Sequence, residues 1–401
     1  MNFMYQRFLI SILTFLLIIG VSAVTILYAR GYKLSPRDGI VKTGLLVVSS
    51  KPDGAVVELD GRITDATNTT ISYLQPKQYR VRLVREGYLP WEKTVDVKPE
   101  LVTEIDAVLF PLSPSLKPLT VTGAIRPLLS PNGTKIVYGV PEGRNAGLWM
   151  VDLRPNPFRQ NVPIQIAADT IVRKFSAGAY AWSPQGDKVL VVVQDALAGK
   201  NSTSTFLLPT DRFNEQLLDV TPTIEATVAE WEEDSRLRAE RRNAQLADEV
   251  RQVLEKAATS AASPSLISRV RSLDERNHAI LWSPNETRVL FSLPGDPIPR
   301  VYDIKKRKEY VLPDLKDVFA GRMESPLFWY PGEEDAAHLV FVEQGKLQVI
   351  EFDGGNKTTV FTGQFDPAFV FPSPDSRKLL IVTSLNTAAN STANLYTIDL
   401  R

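Results

Sequence analysis

Two acidic runs are the first places in the sequence to look for chemistry. Glu230, Glu232, Glu233 and Asp234 fall in "EWEEDS", and Glu333, Glu334 and Asp335 in "GEEDAA". Paired carboxylates can divide general-acid and general-base work when their surroundings push their pKa values apart. Neither run has a partner acid identifiable from sequence, and each reads more simply as a solvated helix face or turn. His278 and His338 stand far apart in the chain, whereas a zinc site needs three or four ligands. There is no cysteine, which removes disulfides, thiol nucleophiles and Cys-ligated zinc or iron–sulfur sites. No G-x-S-x-G elbow, P-loop, G-x-G-x-x-G or D-x-D-x-D-G calcium loop occurs. The expectation is therefore no catalytic, cofactor-binding or metal-site residue, no cofactor, and a non-enzymatic protein. A carbohydrate-processing enzyme that uses carboxylates in a central channel is the alternative. Trp182, Trp282 and Trp329 could form a sugar-stacking row. Each stands just before the same proline turn, and that repeat-locked position favours packing instead, because large aromatics dominate core burial.

The elements that would carry these residues follow from a repeat. "SPNGTKIVYG" begins at Ser130, "SPQGDKVLVV" at Ser183, "SPNETRVLFS" at Ser283 and "SPDSRKLLIV" at Ser373; a looser copy, "YPGEEDAAHLVFV", begins at Tyr330. In each, a proline turn and polar residues lead into an apolar, strand-forming run. The turn prolines are Pro131, Pro184, Pro284, Pro331 and Pro374, so successive spacings are 53, 100, 47 and 43 residues. Three of them fit four-stranded propeller blades, whose period is roughly 40 to 50 residues.

The interval of 100 contains an insertion, residues 222–272. Its first part, "TPTIEATVAEWEEDSRLRAERRNAQLADEVRQVLEKAATSAA", has no strand pattern. Thr221 can cap a helix and Pro222 can occupy its first turn. Ile224, Val228 and Trp231 fall at helical spacing, Leu246, Val250, Val253 and Leu254 repeat the stripe, and Ile267, Val270 and Leu273 mark a further short helix. An exposed stripe of this kind would be a partner-binding element, and the insertion would be dispensable for the propeller. Packing back onto the propeller is the alternative.

Bulk properties set the class. The 401 residues suggest two or three domains. Lys plus Arg and Asp plus Glu are both 46, so there is no basic footprint and no nucleic acid is expected as a partner. N-x-S/T sequons at Asn68, Asn132, Asn201, Asn285, Asn356 and Asn390 read as polar turns. From Phe8 to Tyr28 there are 21 residues without a charge, enough to cross a hydrocarbon core of about 30 Å. A cleaved signal peptide is the rival, with Val21-Ser22-Ala23 resembling a cleavage site, but the apolar run continues past it. Arg30, Lys33, Arg37 and Lys42 follow the span and would by themselves keep the large domain inside. Long domains translocate largely regardless of charge, so residues 44–401 are expected outside a cell membrane crossed once. Residues 29–43 read as a polar tether.

After the tether, Leu45–Val48 and Val56–Leu59 are strand runs joined by a Pro52-Asp53-Gly54 turn, and Asp60-Gly61 signals a tight hairpin. "YRVRLVR" alternates as a half-buried strand, and runs at Thr94–Val97 and Val102–Leu109 complete a small antiparallel β-sandwich over residues 44–110. "SSKPDGAVVELDG" followed by "LQPKQYRVRLVREGY" resembles the PEGA domain. The family's turn is matched by Pro52, Asp53, Gly54 and Ala55 and its downstream pair by Gly87 and Tyr88; Lys77 stands where glycine is usual. The resemblance implies an accessory binding or spacer module of bacterial or archaeal envelope proteins. From residue 111 onward, "AWSPQG", "LWSPNE" and "FWYPGE" resemble the W-S-P-D-G turns of TolB-like propellers. Glycine is replaced at Glu286 and Ser376, so turns of a different type are expected there. The whole is then mainly β: a transmembrane helix, a PEGA β-sandwich and a five-bladed, or six-bladed, propeller. The implied partners are the membrane and an envelope protein or cell-wall polysaccharide.

A ring needs its last blade joined to its first, or it leaves open sheet edges. "AFVF", "KLLIVTS" and "NLYTIDL" supply three strands of a final blade. Leu119–Thr122 is expected to be its fourth, pairing with Asn394–Leu400.

Overall fold

The computed structural model describes all residues except 1, 30, 36–38, 156–161, 196–201, 245–265, 274–279, 294–295, 321–325, 331–336, 375–377, 385–391 and 401. The chain forms two compact units, Met1–Leu112 and Ser113–Arg401.

The first unit opens with helix α1 (Asn2–Ala29), whose Ile10–Ala29 stretch has a mean hydropathy of 2.6 and no buried residue. The segment expected to be a tether is instead a hairpin. Strands β1 (Tyr32–Ser35) and β2 (Gly39–Lys42) pair antiparallel, and Thr43 closes the hairpin by donating its backbone N–H and its hydroxyl to the Gly31 carbonyl, at 2.9 and 2.6 Å.

A sandwich follows. β3 (Gly44–Lys51) lies between β6 (Thr69–Leu74) and β9 (Val102–Val108); β4 (Val56–Leu59) lies between β5 (Arg62–Ala66) and β7 (Lys77–Val84), with β8 (Trp91–Val97) beyond β7. Alternate residues of these strands face one another in a shared core that includes Leu46, Val48, Val57, Val81, Leu83, Trp91 and Ile105. Pairing of β3 with β9 is parallel, so the sandwich is mixed rather than antiparallel. First and last strand of the domain enter from the same end, which adjacent-hairpin reasoning cannot anticipate. The "PDGA" turn behaves as its residues require: Gly54 and Gly61 sit at φ 76° and 79°, and Ala55 is fully buried with its N–H on Thr67 Oγ1. Lys77 pairs with Asp60, whose carboxyl the Lys77 ammonium holds below its ordinary range.

Among the described residues, the second unit is five four-stranded antiparallel sheets. Blade 1 is β11 (Ile125–Leu129), β12 (Lys135–Val140), β13 (Gly147–Asp152) and β14 (Ile164–Ala168). Blade 2 is β15 (Ala179–Trp182), β16 (Lys188–Gln194), β17 (Thr203–Pro209) and β18 (Leu218–Asp219). Blade 3 is β19 (Leu281–Trp282), β20 (Arg288–Leu293), β21 (Asp296–Asp303) and β22 (Lys308–Val311). Blade 4 is β23 (Leu327–Trp329), β24 (His338–Glu343), β25 (Lys346–Glu351) and β26 (Thr358–Thr362). Blade 5 is β27 (Val370–Pro372), β28 (Lys378–Thr383) and β29 (Asn394–Asp399), completed by β10 (Ser115–Pro118) from the start of the unit.

That fourth strand closes the ring as expected, but four residues earlier than Leu119–Thr122. Ser115 to Pro118 pair with Asp399 to Tyr396. Leu119 and Thr120 leave strand geometry while still donating their N–H groups to the Leu395 carbonyl, and Asn394 Oδ1 accepts from Thr120 Oγ1 and Gly123 N. Pro118 is tolerated because the strand is outermost in its sheet.

The insertion yields α2 (Ile224–Asn243) and α3 (Leu266–Ser272). Leu246, Val250, Val253 and Leu254 lie outside the described residues. Thr221 does not cap α2; its hydroxyl accepts the Thr205 N–H of β17 instead. The stripe is not exposed. Val228, Trp231 and Val270 are buried together with Ala181, Leu190 and Val220 of blade 2, and Ile224, Ile267 and Leu273 pack around them. Arg269 clamps the helices, bidentate to Glu232 at 2.9 and 3.0 Å and reaching Glu225 at 2.7 Å; these carboxylates raise its already high pKa. The described part of the insertion therefore packs back onto blade 2 rather than presenting an exposed stripe.

Candidate binding site at the propeller axis

The repeated serine–proline turn builds the site. In blades 1, 2 and 3 the serine N–H bonds the carbonyl five residues on (Ser130 to Lys135, Ser183 to Lys188, Ser283 to Arg288), at 2.8 to 2.9 Å. The serine carbonyl accepts from the residue three on, Gly133, Gly186 or Glu286, at 2.9 Å in each case. Each serine hydroxyl accepts a backbone N–H of the next strand, from Lys135, Lys188 or Arg288. This is a type I turn closed by a residue in the left-handed region. Gly133 and Gly186 have φ of 71° and 72°, and Glu286 has φ 55°. Glu286 thus keeps the glycine turn rather than adopting a different one, because the bonds at Ser283 hold its backbone in place. Ser376 lies outside the described residues. Ser373 makes the same return bond to Lys378, and Tyr330 to His338.

All five inner strands end at one cavity of about 500 Å³. Leu129 and the turn Pro131–Gly133 line it from blade 1, Pro184 from blade 2, Leu281 to Pro284 and Glu286 from blade 3, Phe328 and Trp329 from blade 4, and Pro372 to Pro374 from blade 5. The sheets accordingly surround a common axis. Adjacent turns touch: Asn132 Nδ2 donates to the Gln185 carbonyl at 3.2 Å. Gln185 in turn donates to Asp234 of α2 at 2.8 Å, and Asp234 accepts from Arg238 Nη2 at 2.8 Å. Ser235, Arg238 and Leu273 complete the lining from the insertion. Ser235 Oγ is buried there without a hydrogen-bond partner among the described residues. One carboxylate, Glu286, is among the described lining residues.

Two tryptophans are interblade pins. Trp182 Nε1 donates to the Leu128 carbonyl of blade 1, and Trp329 Nε1 to the Leu281 carbonyl of blade 3, both at 2.9 Å. Trp182 is buried with Val137, Leu148 and Met150, and Trp329 with Leu281 and Leu290. Trp282 packs against Val289 and Phe291 and also faces the cavity. Packing, not a sugar-stacking row, accounts for the first two.

The remaining sequence candidates do not converge. Glu230, Glu232, Glu233 and Asp234 lie on α2, where Glu232 serves Arg269 and Asp234 serves Arg238 and Gln185. Glu333, Glu334, Asp335 and His278 lie outside the described residues, and His338 is buried in β24. Among the described residues no three of His, Cys, Asp and Glu group closely enough to hold a metal. Sequence reading missed Ser235 and Arg238, whose only signal was their position on the helix that continues Trp231's stripe.

No curated protein matches the chain. Among solved structures, it is similar to the protein assigned as TolB of Agrobacterium tumefaciens (13% identity, 75% of this chain and 76% of that one, TM-score 0.21). Further likenesses are TolB of Acinetobacter baumannii (12%, 81% and 60%, TM-score 0.22) and the Cps50 (Swd1) β-propeller domain of Myceliophteria thermophila (10%, 72% and 100%, TM-score 0.27). The chain spans 60% of the Acinetobacter protein. At these values the blade count rests on strand pairing alone. Residues 43–112 match the family model of the PEGA domain, so the sandwich of the first unit is the part of this chain with a family match.

Proposed function

We propose that this chain is a single-pass membrane protein of the cell envelope, with residues 44–401 outside, which binds a partner protein or cell-wall glycan without catalysing a reaction. The observation that carries the binding role is the axial cavity, where residues from all five blades and the helical insertion present side chains to one open pocket. Concave sites of roughly 300–1,000 Å³ with a few convergent polar groups are the usual form of a binding pocket. Trp282 offers an apolar face, while Arg238 and Glu286 offer charge. The anchor reading is supported by α1, apolar over a membrane's thickness and unburied. Glycoside hydrolysis usually takes two carboxylates about 5–9.5 Å apart, and the described lining supplies Glu286 alone.

The test is crosslinking from native membranes with the full chain and with Trp282→Ala, alongside sedimentation with purified cell wall. A defined protein adduct or wall retention that weakens with Trp282→Ala is the expected result. Turnover of a glycan substrate that disappears in Glu286→Gln would establish the enzymatic reading instead. Protease added to intact cells should digest the propeller; a protected propeller would place it inside.

A further inference from the structure

Strand order in the first unit gathers one end of its three-stranded sheet beside the end of α1. β3 begins there at Gly44, β9 begins there because it pairs parallel with Leu45 opposite Val102, and β6 ends there with Leu74 opposite Gly44. The connection from α1 is short and bonded at both turns: Gly31 N donates to the Tyr28 carbonyl at 3.0 Å, Thr43 N to the Gly31 carbonyl, and Glu100 N to the Thr43 carbonyl at 3.0 Å. Helix end, hairpin, and the loop before β9 are thus one hydrogen-bonded corner.

A ring stack fixes that corner further. Two residues of β6, Ser72 and Tyr73, oppose the single Leu45 in a bulge, and Tyr73 sits at φ 59°. A bulge with left-handed backbone re-aims a side chain, at a cost that its surroundings must offset. Here the Tyr73 ring stacks on Tyr28 of α1, with centroids 4.8 Å apart and planes 16° from parallel.

The same corner exposes apolar surface that the fold does not use. Leu101 and Val102 are 55% and 54% exposed, next to the Thr43–Glu100 bond. Lys33 and Lys98 are exposed alongside, and Lys42 is half-shielded by Tyr32 and Glu100. Tyrosine, adjacent aliphatic residues and lysine are the side chains that settle at a membrane–water boundary, the lysines drawn to anionic headgroups.

We propose that this corner of the sandwich is seated in the lipid headgroup layer, with Leu101 and Val102 dipping toward the acyl chains and the lysines facing lipid phosphates, so that the domain stands on the bilayer. The proposal rests on α1 being a membrane span. If α1 ends at the boundary, residues bonded to its last turn fall within the headgroup region, which adds roughly 5–8 Å per leaflet to the hydrocarbon core.

The absence of cysteine allows a direct test with the full chain in nanodiscs of phosphatidylcholine and phosphatidylglycerol. Single cysteines at Leu101, at Ile18 within α1, and at exposed Glu86 beyond the far end of β7 would carry a small fluorophore; nitroxide lipids, labelled at the headgroup or mid-chain, are the quenchers. Mid-chain nitroxide should quench Leu101→Cys little and Ile18→Cys strongly. Headgroup nitroxide should remove roughly half of the Leu101→Cys emission and about none at Glu86→Cys, some 25–30 Å along the strands at about 3.3 Å per residue. Equal, weak quenching at Leu101→Cys and Glu86→Cys, with Ile18→Cys still quenched, overturns the seating and leaves the anchor intact. An unquenched Ile18→Cys overturns the anchor, and the seating with it. A second variant, Tyr73→Ala in the Leu101→Cys chain, should lower the headgroup quenching; unchanged quenching would remove the ring stack from the proposal.

Discussion

Blade 2 packs its two faces in different ways. Toward blade 1 it meets another sheet: Tyr180, Trp182, Val189, Val191 and Phe206 interdigitate with Val137, Leu148 and Ile166. On its other face, Ala181, Leu190 and Leu207 are covered by Val228, Trp231 and Val270 of the insertion. The first contact is pinned by a polar bond from Trp182 Nε1 to a main-chain carbonyl; the second is apolar and flanked by the Arg269 clamp. Alternate residues of the same strands serve both faces, as strand geometry demands. An insertion placed between blades thus becomes structure when it carries an apolar stripe of matching width, because the blade beside it still has a face to bury.

The largest effect that could break this comparison comes from replacing residues 222–272 with a short Gly/Ser bridge. Blade 2 would lose the cover over Ala181 and Leu190, and the purified domain should lose its cooperative thermal transition or aggregate. A variant that unfolds as sharply as the parent would return the helices to the status of an appendage. Next in size is truncation after residue 391, which removes β29 and with it the pairing of both β28 and β10. Circular dichroism should then show loss of the whole ring rather than of one blade.

Single substitutions sharpen the contrast. Trp182→Ala and Trp231→Ala should each destabilise by about 3–5 kcal/mol, the usual range for truncating a buried aromatic. A Trp231→Ala cost below about 1 kcal/mol would mean that the helical face contributes little. Asn394→Ala, which removes the acceptor for the Thr120 hydroxyl and the Gly123 N–H at the seam, should cost about 1–2 kcal/mol in denaturant melts. The smallest change is a gain. Glu286→Gly relieves a left-handed side chain at about 1 kcal/mol and gives back about half of that as backbone entropy, a net rise of about 0.5 kcal/mol. A fall in stability would mean that the Glu286 side chain itself holds the turn.

Features set by neighbours in the chain were legible in advance: the Ser-Pro turns at Ser130, Ser183 and Ser283, the PEGA turn and hairpin glycines, and the helical period at Ile224, Val228 and Trp231. The three strands of the last blade were also readable, since each is a short run rich in aliphatic, aromatic and β-branched residues between breakers. What escaped depends on distant partners. β5 and β6 are polar, with Ile63 pointing to solvent, so they have no apolar alternation to read. The parallel pairing of β3 with β9 joins segments more than 50 residues apart. Glu286 was misread because residue type suggested a turn that local hydrogen bonds overrule. At the cavity, Ser235 and Arg238 look like ordinary solvated helix residues until α2 is docked.

The seam between β10 and β29 also sets a clock. Thr120 and Asn394 are separated by 274 residues, and at a synthesis rate of about 5–20 residues per second the first waits roughly 15–55 s for the second. During that interval the segment that will finish blade 5 has no mate, and any blade that forms does so on an open arc. Blade 5 can therefore be completed only once β29 has been made, against a stretch made long before it. A ribosome that stalls before residue 394 leaves a product without its latch, easily distinguished from the closed ring by a protease. The fold carries its own proof that synthesis has passed the seam.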